Sequence, residues 1–156
     1  MSQRINAFAV GNKAVNALHH MGSQVQHSSL DRSFLELLYF RVSQINGCAF
    51  CLDMHSKELR ENGETEQRIF LISAWRECSF YTDREKAGLL WAETLTSLNG
   101  KEVSDEIYAE AIKHFSETEL VELTMAIIAI NSYNRINIAF GANVETYEVA
   151  EKSTVK

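Results

Sequence analysis

The chain of 156 residues contains no proline, and only three of its residues are cysteine. Proline breaks helix interiors and is common in turns, so its absence favours helices joined by short connections. Three cysteines do not make a disulfide scaffold of the kind that small secreted proteins use. The first ten residues lack the charged start and the long apolar stretch of a signal peptide. We therefore expect a soluble cytoplasmic protein, in which two cysteines three residues apart indicate redox chemistry or metal binding.

Two further absences narrow the function. The net charge is −6, and no cluster of lysine and arginine offers a surface for phosphates, which argues against nucleic-acid binding. No apolar run reaches the length of about 18 residues that a membrane helix needs. The longest candidate, 123–130, contains Thr124. We therefore expect neither a nucleic-acid partner nor a membrane partner.

Composition and helix signals predict one all-α domain over residues 1–156. With 46% hydrophobic and 23% charged residues, the chain has the composition of an ordinary globular protein. Cap residues and apolar spacing predict about six to seven helices. Their approximate ranges are 5–25, 31–44, 48–62, 66–78, 82–98, 104–114 and 116–140. The polar tail, 144–156, is expected to fray.

The helix ends are marked by residues with known capping roles. Thr82 and Ser116 each stand three residues before a glutamate, which is the pattern of a capping box. Ser28 or Ser29 is a plausible N-cap for the second helix. Gly47 follows the end of that helix by three residues, and glycine is preferred where a helix ends in a left-handed residue.

The last predicted helix is apolar on nearly every side, so it must be covered on every side. A subunit interface is the expected means, which predicts an obligate oligomer. Asn131, Asn134, Arg135 and Asn137 interrupt this apolar surface. Buried polar groups need partners, and we expect these four to bridge helices structurally.

Cys48, Cys51 and His55 share one face of the third predicted helix. At about 100° per residue, positions 48 and 55 differ by about 20°, and position 51 lies about 60° from position 48. Cys48 should lie at the helix N-terminus, where free N–H groups stabilise a thiolate, and it is expected to be the more acidic and exposed thiol. His55, one turn beyond Cys51, can accept its proton.

Three interpretations of these residues stay open. The thiols can be buried structural groups. They can also be ligands of a zinc ion with His55, with Glu36 or a water molecule as the fourth ligand. The third interpretation, which we favour, is redox chemistry at Cys48 and Cys51.

Glu36 lies in the apolar segment 34–40, which is an unusual place for a carboxylate. A desolvated glutamate has a raised pKa and can act as a general acid or base. The alternative is a structural ion pair with Arg41 or Arg135. Tyr39 and Phe40, close to Glu36 in sequence, are candidates for the wall of a substrate pocket.

Other histidine, cysteine and tryptophan residues have less specific surroundings. Cys78 is expected to be structural, and Trp75 and Trp91 fit positions in the core. The adjacent residues His19 and His20 are expected on a solvated face.

The spacing Glu36-x11-Cys48-x2-Cys51-x3-His55, within the segment from Arg41 to His55, resembles the alkylhydroperoxidase AhpD branch of the carboxymuconolactone decarboxylase superfamily. The later segments 82–95 and 115–140 are also similar to the helices of that branch. The resemblance covers about residues 29–140, and the spacing of four chemically distinct residues is more specific than a Cys-x2-Cys pair alone.

This resemblance implies an all-helical subunit that assembles into trimers or hexamers. It implies that Cys51 reduces organic hydroperoxides, that Cys48 closes the disulfide, and that His55 and Glu36 relay protons. No bound cofactor is implied. The disulfide would be reduced by an external dithiol, such as lipoamide, or by a lipoylated or thioredoxin-like protein.

The chain departs from the pattern of the family in two ways. Phe50 stands where well-known members carry a second histidine, so one proton carrier is missing. The chain also has one copy of the motif, without the extra helical half of longer members, so we expect the active site to need a neighbouring subunit. Two alternatives to peroxidase activity remain open: an enzyme similar to carboxymuconolactone decarboxylase, and a non-enzymatic module that senses redox state or binds zinc.

Overall fold

The computed structural model describes residues 4–11, 13–144 and 146–149, which form eight α-helices and contain no strand. The helices are Ala7–Val10 (α1), Lys13–Gln26 (α2), Arg32–Asn46 (α3), Ala49–Glu61 (α4), Glu66–Leu71 (α5), Asp83–Thr96 (α6), Asp105–His114 (α7) and Glu117–Phe140 (α8). A 3-10 helix, Ile72–Glu77, continues α5. The prediction of a single all-α domain is confirmed, with eight helices instead of six to seven.

The extra helix arises because the helix predicted over 5–25 is broken near Gly11. The side chain of Asn6 caps α1 by accepting the N–H of Ala9 at 3.0 Å. Gly11 then adopts an extended conformation, with φ −62° and ψ 120°, and α1 ends there. The prediction of one continuous helix was therefore wrong, since the apolar spacing carried no sign of this break.

The segment predicted as a helix over 66–78 is helical over nearly the same residues, but its second half is a 3-10 helix. Regular α-helix ends at Leu71, and Ala74 within the following 3-10 helix has non-helical dihedral angles, φ −111° and ψ 24°. A tighter last turn of this kind is common at the C-terminal ends of helices. Trp75 in this segment is buried, and its Nε1–H donates to Glu93 on α6 at 3.0 Å.

Most predicted helix ends are confirmed. Thr82 and Ser116 form capping boxes with Glu85 and Glu119. The N-cap of α3 is Asp31, which accepts the N–H of Phe34, so the prediction of Ser28 or Ser29 was wrong. Ser29 instead donates its N–H and its hydroxyl to Glu122 on α8.

Helix α3 lies at the centre of the fold, in contact with α4, α6 and α8. Its side chains are buried on most of its circumference, including Leu35, Leu37, Leu38 and Val42. Glu36 lies in the buried part of α3, between Leu35 and Leu37, so the packing of this helix explains its burial.

The aromatic residues assigned to the core are there, since Trp75 and Trp91 are both buried.

Helix α8 packs against α2, α3, α4, α6 and α7, which covers much of its apolar surface. Val121, Ile128 and Ile138 on α8 nevertheless remain exposed.

Among the described residues, no helix is both long enough and apolar enough to cross a membrane. The predicted fraying tail, 144–156, falls largely on residues 145 and 150–156, which are outside the described part of the chain.

The packing of Gly88 on α6 gives a first prediction. A Cβ atom at Gly88 would lie 2.4 Å from Cζ of Phe34 and 3.3 Å from Cζ of Phe115, whose rings stack on each other. We expect Gly88→Ala to lower the free energy of unfolding. Overpacking costs about 1–3 kcal/mol, against a gain of about 1 kcal/mol in helix propensity.

Urea denaturation measures this change. Phe34→Leu is the matched variant, since it removes the atom that the new methyl group would meet. The double variant should be less destabilised than the sum of the two single variants. Strict additivity would contradict the proposed clash.

Candidate active site

The turn between α3 and α4 places both cysteines. Gly47 adopts the left-handed conformation with φ 69°, which ends α3 and reverses the chain. Cys48 then acts as the N-cap of α4, and its Sγ accepts the N–H of Cys51 at 3.4 Å. The two Cα atoms are 5.3 Å apart, and the side chains are joined in a disulfide. The start of α4 is therefore a closed redox pair.

His55 and Glu36 form a buried pair beside these cysteines. His55 Nδ1 lies 2.7 Å from Oε2 of Glu36, and the two residues are 5% and 7% exposed. The structure thus brings together Glu36, Cys48, Cys51 and His55, as the sequence predicted. The alternative pairing of Glu36 with an arginine was wrong, because Arg41 binds Glu93 and Arg135 donates to Asn131.

The carboxylate of Glu36 determines which nitrogen of His55 is free. A carboxylate only accepts hydrogen bonds, so Nδ1 carries the proton in this contact, and Nε2 of the neutral ring carries the lone pair. Nε2 is buried and has no hydrogen-bond partner. His55 lines the same cavity as Cys51, one helical turn away on α4. Its free nitrogen is therefore a candidate base for the Cys51 thiol.

A cavity of about 480 Å³ lies against Cys51 and His55. Tyr39, Phe50 and Tyr133 contribute aromatic walls. Tyr39 was expected there, and its ring centroid lies 5.3 Å from that of His55. Burial, together with the charge of Glu36, raises the pKa of Tyr39 well above its ordinary value, so its phenol stays neutral.

Two predictions about this cavity were wrong. Phe40 was expected in the wall but is buried in the core and does not line the cavity. Cys48 was expected to be the more exposed thiol. It is 1% exposed and Cys51 0%, and only Cys51 lines the cavity. The N-cap position buries Cys48 in the turn instead of presenting it to solvent.

A polar cluster lines the cavity about two helical turns from Cys51. Glu58 lies seven residues after Cys51 on α4, which is about 10 Å along a helix. Its carboxylate binds the guanidinium of Arg32 at 3.4 Å and accepts the hydroxyl of Tyr147. Lys57 Nζ donates to the backbone oxygen of Tyr147 at 2.9 Å. The segment that follows α8 is thereby held against the cavity.

Helix α2 forms the outer wall. His19 is exposed, as expected, and it also lines the cavity, where its ring contacts those of Phe8 and Tyr133. A Cβ atom on Gly22 would lie 2.6 Å from the hydroxyl of Tyr133. The ring of Tyr133 therefore occupies the space that a side chain at this position would take.

The asparagines of α8 divide into two groups. Asn131 and Asn134 bridge helices, as expected: both accept from Asn46, and Asn134 donates to Ser43. Asn137, which was assigned the same structural role, instead donates Nδ2–H to Cys51 Sγ at 3.4 Å. Its spacing from the cysteines in sequence gave no sign of this contact.

The geometry gives no support to the zinc interpretation. In the part of the chain that the structure describes, no three His, Cys, Asp or Glu side chains are grouped so as to hold a metal ion.

With this geometry established, comparison with known proteins identifies the family. Residues 12–94 match the Carboxymuconolactone decarboxylase family, and the chain belongs to it. The uncharacterized protein YdfG of Bacillus subtilis is 44% identical over 141 residues, which cover 90% of this chain and 96% of that protein.

Within this family the chain belongs to the AhpD-like branch. A crystal structure from Agrobacterium tumefaciens, of a protein of unknown function described as a candidate antioxidant defence protein AhpD, superposes with a TM-score of 0.88 at 40% identity. It covers 94% of this chain and 100% of that one. Alkyl hydroperoxide reductase AhpD of Nocardia farcinica is 44% identical over 46 residues, which are 30% of this chain and 26% of that protein.

The contact between Glu58 and Tyr147 gives a second prediction. Burial, with the hydrogen bond to Glu58 and its charge, raises the pKa of Tyr147 to about 12. In Glu58→Gln the burial remains and the charge is lost, so the pKa of Tyr147 should fall part of the way towards its ordinary value of about 10.

Ultraviolet absorbance of tyrosinate against pH measures this change. Subtracting the titration of Glu58→Gln/Tyr147→Phe from that of Glu58→Gln isolates Tyr147. An unchanged midpoint would mean that Glu58 does not hold this phenol.

Proposed function

We propose that the protein is a thiol-dependent peroxidase that reduces organic hydroperoxides and so contributes to antioxidant defence. The observation that carries this proposal is the position of Cys51. It lines an aromatic cavity beside the Glu36–His55 pair and is joined to Cys48. Membership of the AhpD-like branch supports the same chemistry.

The reaction begins with both cysteines reduced. His55 Nε2 takes the proton of the Cys51 thiol, and Glu36 stabilises the resulting imidazolium. The thiolate attacks the terminal oxygen of the hydroperoxide, the O–O bond breaks, and Cys51 becomes a sulfenic acid. The alkoxide leaves as an alcohol with the proton from His55. The thiol of Cys48 then displaces the sulfenic oxygen as water, and the disulfide forms.

An external dithiol completes the cycle. One of its thiolates attacks Cys51, which faces the cavity, and expels Cys48 as a thiolate at the N-terminus of α4, where helix amides stabilise an anion. Its second thiol then releases Cys51, so the dithiol is oxidised to a disulfide and both cysteines are reduced. Because Cys48 and Cys51 are at most 1% exposed, a slender arm such as dihydrolipoamide fits this approach better than a thioredoxin-like protein does.

The cavity wall also supports the choice of substrate. Phe50, Tyr39 and Tyr133 present aromatic surface close to Cys51. Burying apolar groups of a ligand against such a surface is favourable by about 25 cal/mol per Å². Hydrogen peroxide gains nothing from this contact, so we propose organic hydroperoxides as the substrates.

The cysteine variants test this function. On one equivalent of cumene hydroperoxide, the reduced wild-type protein should lose two of its three alkylatable thiols, and dihydrolipoamide should restore them. Cys51→Ser should consume no hydroperoxide, because the attacking sulfur is missing. Cys48→Ser should stop at the sulfenic acid of Cys51. Mass spectrometry of the alkylated protein distinguishes these states.

Cys78→Ser is the matched control, since Cys78 is a free cysteine that does not line the cavity, and the substitution should leave hydroperoxide consumption unchanged. Unchanged consumption by Cys51→Ser would exclude the proposed reaction. Stoichiometric zinc in the same sample, with the thiols protected from alkylation, would favour the metal-binding alternative.

We further propose that the protein forms a homo-oligomer, a trimer or a hexamer, through α8. Val121, Met125 and Ile128 are spaced four and three residues apart, which places them on one face of the helix. They are 64%, 36% and 45% exposed. A second copy of the chain is the occupant that the family resemblance favours.

Charged substitutions on this face test the assembly. We expect Val121→Glu/Ile128→Glu to reduce the mass in solution, measured by light scattering, to that of a monomer, because the carboxylates cannot be buried unpaired. Phe70→Glu, on α5, is the control and should leave the mass unchanged, since Phe70 is as exposed as Val121. An unchanged mass for the double variant would place the interface elsewhere.

A further inference from the structure

The two sulfurs of the redox pair accept hydrogen bonds from different donors. The backbone N–H of Cys51 points to Sγ of Cys48, because Cys48 is the N-cap of α4. An N-terminal amide of α4 thus donates its hydrogen bond to Cys48. Sγ of Cys51 receives instead the Nδ2–H of Asn137, which comes from α8.

Burial makes a donor to Cys51 necessary when the pair is reduced. Cys51 is 0% exposed, and an anion removed from water is costly unless it is hydrogen-bonded. A thiolate can only accept hydrogen bonds, so the amide nitrogen of Asn137, not its oxygen, must face it. Phe50, the neighbour of Cys51 in the sequence, carries no donor.

The end of α8 places Asn137 beside Cys51. The backbone carbonyl of Asn137 accepts the N–H groups of Gly141 and Ala142. Gly141 has φ 65°, which closes the end of α8. Asn137 is 8% exposed and lines the cavity beside Cys51. Its backbone is therefore fixed, and its side chain contacts the reacting sulfur through Nδ2.

We propose that Asn137 is a further catalytic residue, whose amide N–H stabilises the thiolate of Cys51. His55 removes the proton from Cys51, and Asn137 holds the anion that remains. This role rests on the proposed peroxidase function. Asn137 would be the group that keeps the nucleophile of that reaction, the Cys51 thiolate, ionised. Cys48 and Cys51 are then stabilised independently, one by the N-terminus of α4 and the other by a side chain of α8.

The ionisation of Cys51 tests this role without any hydroperoxide. In a Cys48→Ser/Cys78→Ser background, Cys51 is the one remaining thiol, and its alkylation rate by iodoacetamide follows the thiolate fraction. Adding Asn137→Ala or Asn137→Leu should move the midpoint of the rate–pH profile up by about one pH unit, the size expected for one lost hydrogen bond to an anion.

The other titratable groups of the cavity are present in every variant, so their contributions cancel in this comparison. They are Glu36, His55, Glu58, His19, the constant positive charge of Arg32 and three tyrosine phenols. Leucine has the branched shape of asparagine but a larger volume, while alanine leaves a small void, so the two variants disturb the packing in opposite directions. A common shift in both variants therefore reports the lost donor.

Asn134→Ala is the matched control. Asn134 is a buried asparagine on the same helix, but it contacts Ser43 and Asn46 and no sulfur. The substitution Asn134→Ala should lower the free energy of unfolding measured in urea and should leave the midpoint of the rate–pH profile unchanged. The proposal is overturned if the profiles of the two Asn137 variants coincide with that of their background, or if Asn134→Ala shifts the profile equally. Failure of the peroxidase proposal would appear separately, as absent hydroperoxide consumption with the Asn137 effect intact.

Discussion

The contact between Glu36 and His55 is the interaction on which the site depends. It joins the central helix α3 to α4 inside the protein, where both residues are almost fully buried. Removing one partner would leave a polar group unpaired in a low-dielectric interior, which is far costlier than losing a pair on the surface. The pair therefore ties α4 to α3 at His55, one helical turn from Cys51, and both residues line the cavity.

Much of the fold was predictable because it rests on local chemistry. The capping boxes at Thr82 and Ser116 and the left-handed Gly47 each act within one turn of helix, so their residues mark the helix ends directly. The break at Gly11 was missed because apolar spacing continues across it. The N-cap of α3 was misplaced because Ser29 and Asp31 are both good caps, and a long-range contact of Ser29 with Glu122 decides between them.

The candidate site likewise contains residues that local sequence patterns predict and residues that they do not. Cys48, Cys51 and His55 were found because one helix carries all three, and Glu36 because a carboxylate in an apolar segment is unusual. Asn137 lies 86 residues from Cys51, and no local pattern marks its contact with the sulfur. Tyr147 and Glu58 also meet only through the folded chain, 89 residues apart. Helix periodicity predicts which residues share a face, but not which faces meet.

The close approach at Gly22 has a consequence for how this protein family can diversify. The hydroxyl of Tyr133 lies 2.6 Å from the place that a Cβ atom would take at Gly22, so the absence of a side chain leaves room for this ring. A larger residue there would displace the ring of Tyr133, which is part of the cavity wall, with the sulfurs, the histidine and the carboxylate left in place. The width of the chamber then depends on a position remote from the sulfurs, so a single substitution can alter which molecules enter without altering the groups that they meet.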